Sequence, residues 1–290
     1  MTAALSVVIV THNSSRDLPA CLDSLREHTT GIEYEVIVAD NASTDGTVDL
    51  VEQRYPWVRL IRRRENSGLS AAINDGARAA AGEFIAVLNP DVRLEGDVLA
   101  PLAAYLREYP DVGVVAPKLL NEDGSLQLSC RAFPGYSTVV FNRYSIVTKL
   151  FPRNPLSSRY LMSDSGHATT RGVDWVSGAA LMLPRRVFDE VGGWDAGFFM
   201  FNEDVDLCRR VTNAGYGVVY KPDVSLFHKI GVSTSTSPRL VIARHRSIWR
   251  YYRKHLRGGA VRDAATAAGI AARCALLLGA NAVRRLVSGR

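Results

Sequence analysis

Small polar residues gather at four places in the first 91 positions, each where an apolar run stops: Thr11, His12 and Asn13; Asp40, Asn41, Ser43, Thr44 and Asp45; Glu65, Asn66, Ser67 and Gly68; and Asn89 with Asp91. Such side chains exchange hydrogen bonds at short range, and their carboxylates bind hard cations. Any one cluster is ordinary loop or helix-cap chemistry. Four at successive strand ends of one parallel sheet would converge on a single rim, where ligands of such sheets bind. The loop at 11–16 holds no glycine, so the Gly-x-Gly-x-x-Gly fingerprint of dinucleotide binding is missing, and so is a Walker A loop. A phosphate at this rim would therefore be held through a metal ion rather than by a glycine-rich backbone.

The elements needed to position these clusters are legible in the periodicity. The apolar run at 6–10 reads as a buried strand, and 35–39, 58–61, 84–88 and 112–116 as the strands that follow it. Helices are expected between them: Leu18, Cys21, Leu22 and Leu25 keep the spacing of one helical face, and 47–55, 68–81 and 98–109 follow. Gly82 is expected to be the C′ residue that stops the third helix. This βαβα alternation predicts an α/β fold with a mostly parallel sheet covered by helices on both faces. Beyond it, Asn121 to Gly124 reads as a hairpin turn. Residues 133–171 read as a long mobile surface segment, 173–183 as a strand, and Pro184 as the opening residue of a short helix to 191. A helix over 203–214, closed by Gly215, and a strand over 217–220 complete the body. Glu203 and Asp204 stand at that helix's start, where acids also interact favourably with the dipole.

Composition narrows the class. With 290 residues, 47% hydrophobic and 22% charged, the chain is neither disordered nor a disulfide-stapled miniprotein. Its four cysteines are far apart, without a CxxC pair, as expected of reduced thiols. The first ten residues carry no basic leader, so no signal peptide is expected. The net charge of +6 is uneven: residues 239–290 carry 12 Lys/Arg and the single acid Asp263, leaving 23 Lys/Arg against 28 Asp/Glu in residues 1–238. The expected division is thus a body, 1–238, whose alternating strands and helices fill 1–116 and whose rhythm changes over 117–238, and a basic helical tail, 239–290. Within the tail, Val241, Ile242, Ile248, Trp249, Tyr252 and Leu256 alternate with arginines at helical spacing. That basic amphipathic pattern predicts contact with an anionic membrane surface, and nucleic acid is not expected. The apolar stretch 264–283 contains Arg273 and Asn281, so it reads as a second surface helix or a homodimer contact rather than a membrane span.

Taken in order, the motifs Ser6-Val-Val-Ile-Val-Thr-His-Asn13, Asp40-Asn-Ala-Ser-Thr-Asp-Gly-Thr47, Asn66-Ser-Gly68 with Asn74 and Gly76, and Asn89-Pro-Asp91 resemble the family 2 inverting glycosyltransferases, which have the GT-A fold. Trp175-Val-Ser-Gly-Ala179, Gly192-Gly-Trp194, the run from Phe198 to Cys208 and His228-Lys-Ile-Gly231 resemble its bacterial rhamnosyltransferase-like members, so that the resemblance covers about residues 5–255. The resemblance implies a nucleoside diphosphate sugar donor, dTDP- or UDP-linked, held by Thr11, Asn13, Asp40, Asn41, Ser43, Asn66, Gly68, Asn74, Asn89 and Asp91. It implies Mg²⁺ or Mn²⁺ at Asp91, where the family's Asp-x-Asp motif ends, with His228 as second ligand; Asn89 replaces that motif's first carboxylate. It also implies Asp204 as general base, Glu203 as an acceptor-side residue that with Asp206 orients or caps, a glycan or polyprenyl-linked acceptor, and a body divided into a nucleotide-sugar half (1–116) and an acceptor half (117–238). Trp175 and Trp194 would offer apolar platforms to that acceptor's sugar rings, and Gly178 room for close approach. The expected reaction moves L-rhamnose from dTDP-β-L-rhamnose with inversion, in the cytoplasm at the inner face of the plasma membrane.

Overall fold

A computed structural model describes residues 3–135, 167–229 and 237–287. The segment expected to be mobile lies largely outside them, as does Gly231. The elements follow in the order β1 (Leu5–Thr11), α1 (Leu18–His28), β2 (Tyr34–Asp40), α2 (Thr47–Arg54), β3 (Arg59–Arg62), α3 (Leu69–Ala79), β4 (Phe84–Leu88), β5 (Val92–Leu94), α4 (Leu99–Glu108) and β6 (Val112–Leu120). The second half contributes β7 (Leu126–Gln127), β8 (Cys130–Arg131), β9 (Arg171–Gly172), β10 (Trp175–Val176), β11 (Ala180–Pro184), α5 (Arg185–Glu190), α6 (Glu203–Asn213), β12 (Gly217–His228), α7 (Pro238–His255) and α8 (Ala260–Val287).

The main sheet runs in the order β3-β2-β1-β4-β11-β6-β12-β5. Strands β3, β2, β1 and β4 are mutually parallel, as the alternation of strands and helices predicts. Antiparallel β11 is inserted between β4 and β6, and β5 pairs antiparallel with the end of β12. Both faces of β1 are buried, because side chains alternate along a strand. Leu5, Val7 and Ile9 join one core with α1, α2 and α4, while Val8 and Val10 join the other with α3, α5 and α6. Burying Leu18, Leu22 and Leu25 of α1 contributes roughly 1.5–3 kcal/mol each.

Three local expectations need correction. Gly82 does not cap α3, which ends at Ala79 with Ala80 extended. A Cβ on Gly82 would lie 2.6 Å from the Ser6 nitrogen, so glycine is required there by close passage against β1. The strand expected over 173–183 is broken into β10 and β11 by the turn at Ser177–Ala179, which carries site residues. Pro184 precedes α5 in extended conformation and ends β11 rather than opening the helix. The hairpin turn at Asn121–Gly124 forms as expected, joining β6 to β7. All four cysteines are free thiols.

Helix α7 is built into the body rather than lying free. Val241, Tyr251 and Tyr252 are buried, and Ser237 accepts the Leu240 N–H as its N-cap. Helix α8 packs on α7 with inverted polarity. Arg273 is partly buried and Asn281 buried, whereas from 264 to 283 the exposed residues are alanine, glycine, leucine and valine only. Its segment Ala260–Val283 is long and apolar enough to cross a membrane by length and composition.

Candidate active site

The carboxyl ends of β1 and β2 lie side by side, with Thr11 in register with Asp40. Thr11 Oγ1 donates to Asp40 Oδ1 (2.8 Å), the Ser43 N–H donates to Oδ2 (2.9 Å), and Ser43 Oγ donates to Oδ1 (2.5 Å). The carboxylate is thus buried under the rim by three protein donors, and it fixes the loop that follows β2. Ser43 Oγ in turn accepts the Asn13 N–H (2.8 Å), and Asn13 Oδ1 accepts the Thr44 N–H (2.8 Å), so the two loops are laced together. Asn13 and Ala42 hold left-handed conformations that turn these loops outward.

The next rung joins Asn41 to the loop before α3. Asn41 Nδ2 donates to Asn66 Oδ1 (2.9 Å) and to the Gly68 carbonyl (3.1 Å), while Arg63 donates to Asn41 Oδ1 (2.5 Å) and to Asp75 (2.7 Å). Of the basic run Arg62 to Arg64, which reads as solvated in the sequence, Arg63 is therefore a half-buried brace. Gly68 has φ +98°, and a Cβ there would meet the Phe199 carbonyl oxygen at 2.6 Å. That carbonyl accepts the Leu69 N–H (2.7 Å), which ties the start of α3 to the segment before α6. Asn74 has a different placement from the other donor-side candidates. Its amide bonds both ways to the backbone of Trp194, donating at 2.7 Å and accepting at 2.9 Å.

Asn89 and Asp91 follow β4, with His228 facing them from the end of β12. Asp91 Oδ1 is buried and takes no hydrogen bond. It lies 3.3 Å from His228 Nε2, which also lies 3.3 Å from Asn89 Nδ2. His228 Nδ1 is 2.6 Å from Gln127 Oε1. A buried carboxylate oxygen without a donor, beside an imidazole nitrogen, fits a divalent cation that takes oxygen and nitrogen ligands. Among the described residues no group of three or more His, Cys, Asp or Glu side chains stands ready for a metal. Two protein ligands would thus leave most of a cation's coordination to diphosphate oxygens and water.

A short backbone segment connects this corner to the other carboxylates. The Asn89 N–H donates to the Ala179 carbonyl (2.9 Å), and the Gly178 N–H donates to Asp204 Oδ2 (3.1 Å). Asp204 Oδ1 also accepts the Val205 N–H (2.8 Å). Phe201 and Asn202, both left-handed, deliver the chain into α6, so Glu203, Asp204 and Asp206 all occupy its first turn. Burial raises the carboxyls of Glu203 and Asp204 above the ordinary range. Glu203 reaches about 8 through burial and the neighbouring Asp204, and its Oε2 has no partner. Asp204 instead receives two N–H donors and the field of Arg131, which favour its charged form. Of the two, Asp204 is the carboxyl whose charged form its surroundings favour, and Glu203 the one whose surroundings favour the proton.

Asp206 faces the opposite way and is fully buried. It accepts from Arg210 (2.8 Å), His255 (2.7 Å) and Lys254; burial alone would raise its pKa, and these donors lower it. Arg250 and Lys254 also bind Asp195, Ser247 Oγ donates to the Met200 carbonyl (2.7 Å), and Arg244 covers the Phe201 ring. Helix α7 therefore clamps residues 195–206. The sequence pattern shows its charge but not these partners, and it gives no sign of Gln127 or Arg131. Trp175 and Trp194 are 7% and 2% exposed, and Trp175 Nε1 donates to the Ala132 carbonyl. Both indoles are packed into the wall of the site, with little ring face open to a ligand.

Comparison with known proteins agrees with this architecture. The chain is 33% identical over 256 residues to the N-acetylglucosaminyl-diphospho-decaprenol L-rhamnosyltransferase of Mycobacterium tuberculosis, covering 84% of this chain and 82% of that protein. It is 27% identical over 232 residues to a rhamnosyltransferase of Escherichia coli, covering 77% and 82%. A mannosyltransferase of Pyrobaculum calidifontis, solved with GDP-Man and Mn²⁺, shares the fold with a TM-score of 0.61 at 20% identity, over 99% of this chain and 81% of that one. Residues 6–192 match the family described as Glycosyl transferase family 2, and with more than half of its length so matched, the chain belongs to that family of glycosyltransferases, among its rhamnosyltransferase-like members.

Proposed function

We propose that the chain transfers L-rhamnose from dTDP-β-L-rhamnose, with inversion, to a lipid-linked glycan acceptor, with Asp204 as the general base. The observation that carries the reading is the environment of Asp204. Both of its oxygens accept N–H donors, from Gly178 and Val205, whereas Glu203 Oε2 has no partner, and it is joined through Gly178 and Ala179 to the corner formed by Asn89, Asp91 and His228. An inverting transfer needs a base on the acceptor hydroxyl, opposite the departing diphosphate. Asp91 and His228 would hold Mg²⁺ or Mn²⁺, which when bound neutralises charge on the nucleoside diphosphate as it leaves. The laced loops of Asn13, Ser43 and Asn66 would present donors and acceptors to the nucleoside, with Thr11, Asp40 and Asn41 holding those loops from beneath.

The rhamnosyl donor and the lipid-linked acceptor are supported by similarity to the mycobacterial enzyme over most of both chains. An acceptor of that kind supports a position at a membrane, and a nucleotide-sugar donor supports its cytoplasmic face. The outward face of α8 supports this position better than the arginines of α7, because Arg250 and Lys254 already pair with acids of the body. The test is a thermal-shift panel of dTDP-rhamnose, UDP-hexoses, UDP-N-acetylhexosamines and GDP-mannose, each with and without Mn²⁺, followed by mass analysis of the product on a polyprenyl-diphosphate N-acetylglucosamine acceptor. A ligand at 100 times its Kd adds about 2.7 kcal/mol, enough to raise the melting temperature clearly. Stabilisation by dTDP-rhamnose with product formation is expected. A shift confined to a UDP-sugar would refute the donor assignment, and binding without turnover would mark a nucleotide-sugar sensor instead.

A further inference from the structure

Gln127 stands on the two-residue strand β7, outside every motif of the sequence, yet its amide is tied at both ends. Nε2 donates to Asn121 Oδ1 (3.0 Å) and to the His228 carbonyl (3.3 Å), while Oε1 lies 2.6 Å from His228 Nδ1. The orientation of that amide can be worked out by following the protons. Ser125 Oγ donates its only proton to Asp123 Oδ1 (2.5 Å), so it accepts from Asn121 Nδ2 (2.8 Å). That leaves Asn121 Oδ1 as an acceptor turned toward Gln127. The His228 carbonyl is an acceptor as well. Both therefore require the NH₂ of Gln127 on their side, which places its carbonyl oxygen against the imidazole. An oxygen at 2.6 Å cannot donate, so His228 Nδ1 carries the proton.

The consequence falls on the other ring nitrogen. With the proton on Nδ1 and Nε2 bare, the Nε2 lone pair faces a corner shared by Asn89 Nδ2 and Asp91 Oδ1, each 3.3 Å away, and Asp91 Oδ1 is buried there without a donor. Two acceptors at that distance repel unless a cation lies between them. We propose that Gln127 is a positioning residue: through the chain Asp123–Ser125–Asn121–Gln127 it holds His228 as the Nδ1–H tautomer, so that Nε2 and Asp91 together receive the divalent cation. This rests on the cation reading given under Proposed function. It goes beyond that reading in assigning a hydrogen-bond relay, from an exposed turn to the metal corner, that decides which nitrogen is free. Groups that orient a metal-bound histidine through its second nitrogen typically change metal affinity by about 10–100-fold.

Two readouts on the full chain separate the relay from the cation. Long-range ¹H–¹⁵N spectra of histidine-labelled protein without metal, with the His228 signals assigned from a His228→Ala variant, should show a protonated Nδ1 and a bare Nε2. Gln127→Met, similar in shape but without the acceptor, should shift the ring toward the Nε2–H tautomer. Gln127→Glu, which keeps an oxygen against Nδ1 while losing the donor to Asn121 Oδ1 and the His228 carbonyl, should still preserve Nδ1–H. Binding of Mn²⁺, alone and with dTDP, read by electron paramagnetic resonance, should weaken about 10–100-fold in Gln127→Met and stay within a few-fold of wild type in Gln127→Glu. Melting curves of the two variants verify folding. A wild-type ring protonated at Nε2 alone, or equal Mn²⁺ affinity in wild type and Gln127→Met, overturns the proposal. If wild type shows the expected tautomer and binds no Mn²⁺, the cation reading is overturned while the tautomer relay stands.

Discussion

Glu203 offers a prediction whose size follows from its surroundings. The side chain is 6% exposed, Oε2 has no partner, and burial with the neighbouring Asp204 raises its carboxyl from 4.5 to about 8. A carboxyl raised on folding binds its proton more tightly in the native state. Its contribution to stability is therefore intact below the unfolded value and declines as pH rises toward the folded one. Each pH unit in that window is worth about 1.4 kcal/mol, so from pH 5 to pH 8 wild type gives up on the order of 4 kcal/mol through this one group. Glu203→Gln removes the titration. The buried amide has its own cost, but that cost does not vary with pH, so the slope is the observable. Urea unfolding at half-unit steps from pH 5 to pH 8 should show the variant gaining on wild type throughout, by on the order of 4 kcal/mol in unfolding free energy across the window. Parallel stability curves for the two proteins would refute a buried, protonated Glu203. The assignment of Asp204 as the carboxyl of the pair whose charged form is favoured would then lose its physical basis.

Four further outcomes are expected. Asp204→Asn should lower turnover by about 10²–10⁴-fold, the range of a lost general base, while leaving the thermal shift with dTDP-rhamnose unchanged. Gly68→Ala forces φ +98° on a side-chain residue and sets its Cβ against the Phe199 carbonyl, so denaturant unfolding should show a loss of about 2 kcal/mol or more. Asp206→Asn leaves Arg210, Lys254 and His255 facing a neutral amide, at a cost of about 3–5 kcal/mol near neutral pH. Because the Asp206 pKa is depressed, that difference should persist at any pH above 3.8 and close only as acid protonates the wild-type carboxylate below it. Leu276→Glu, at a side chain 74% exposed on α8, should reduce co-sedimentation with anionic vesicles without moving the melting temperature, and unchanged co-sedimentation would exclude this face from the contact.

The sheet's first half was legible because its signals are local. The runs 6–10, 35–39 and 84–88 are apolar and β-branched on both faces, and each ends where a polar cluster begins, so the rim could be placed before any pairing was known. What escaped depends on contacts between distant residues. Nothing in the run 180–184 distinguishes an antiparallel strand between β4 and β6 from a parallel strand at an edge. Two-residue strands such as β7 and β8 carry no period at all, and this hid Gln127 and Arg131. Gly82 was misread because a glycine after a helix most often serves its C′ position, whereas here a neighbouring strand excludes a Cβ. The tail's charge was plain, but its partners Asp195 and Asp206 lie more than 40 positions upstream, beyond any pattern in the tail itself. Part of the asymmetry that suggested an external anion is thus satisfied within the fold.

The two carboxylates expected to face the reaction from either side are spaced by three consecutive residues. Ser177 is anchored to Ser129 by its N–H (2.8 Å), Gly178 holds Asp204, and Ala179 holds Asn89 two positions before Asp91. Immediately afterwards β11 pairs with both β4 and β6, so the turn enters the centre of the sheet and cannot drift. On the far side α7 fixes the strained entry to α6 through Ser247, Arg244, Arg250 and Lys254. If Asp204 and the Asp91 corner act as proposed, groups held this way would lose little freedom when substrate arrives, and alignment of reacting groups is worth several kcal/mol of a transfer barrier. The inserted antiparallel strand, the least predictable element of the sheet, is therefore the one that sets how far Asp204 stands from the corner of Asn89 and Asp91.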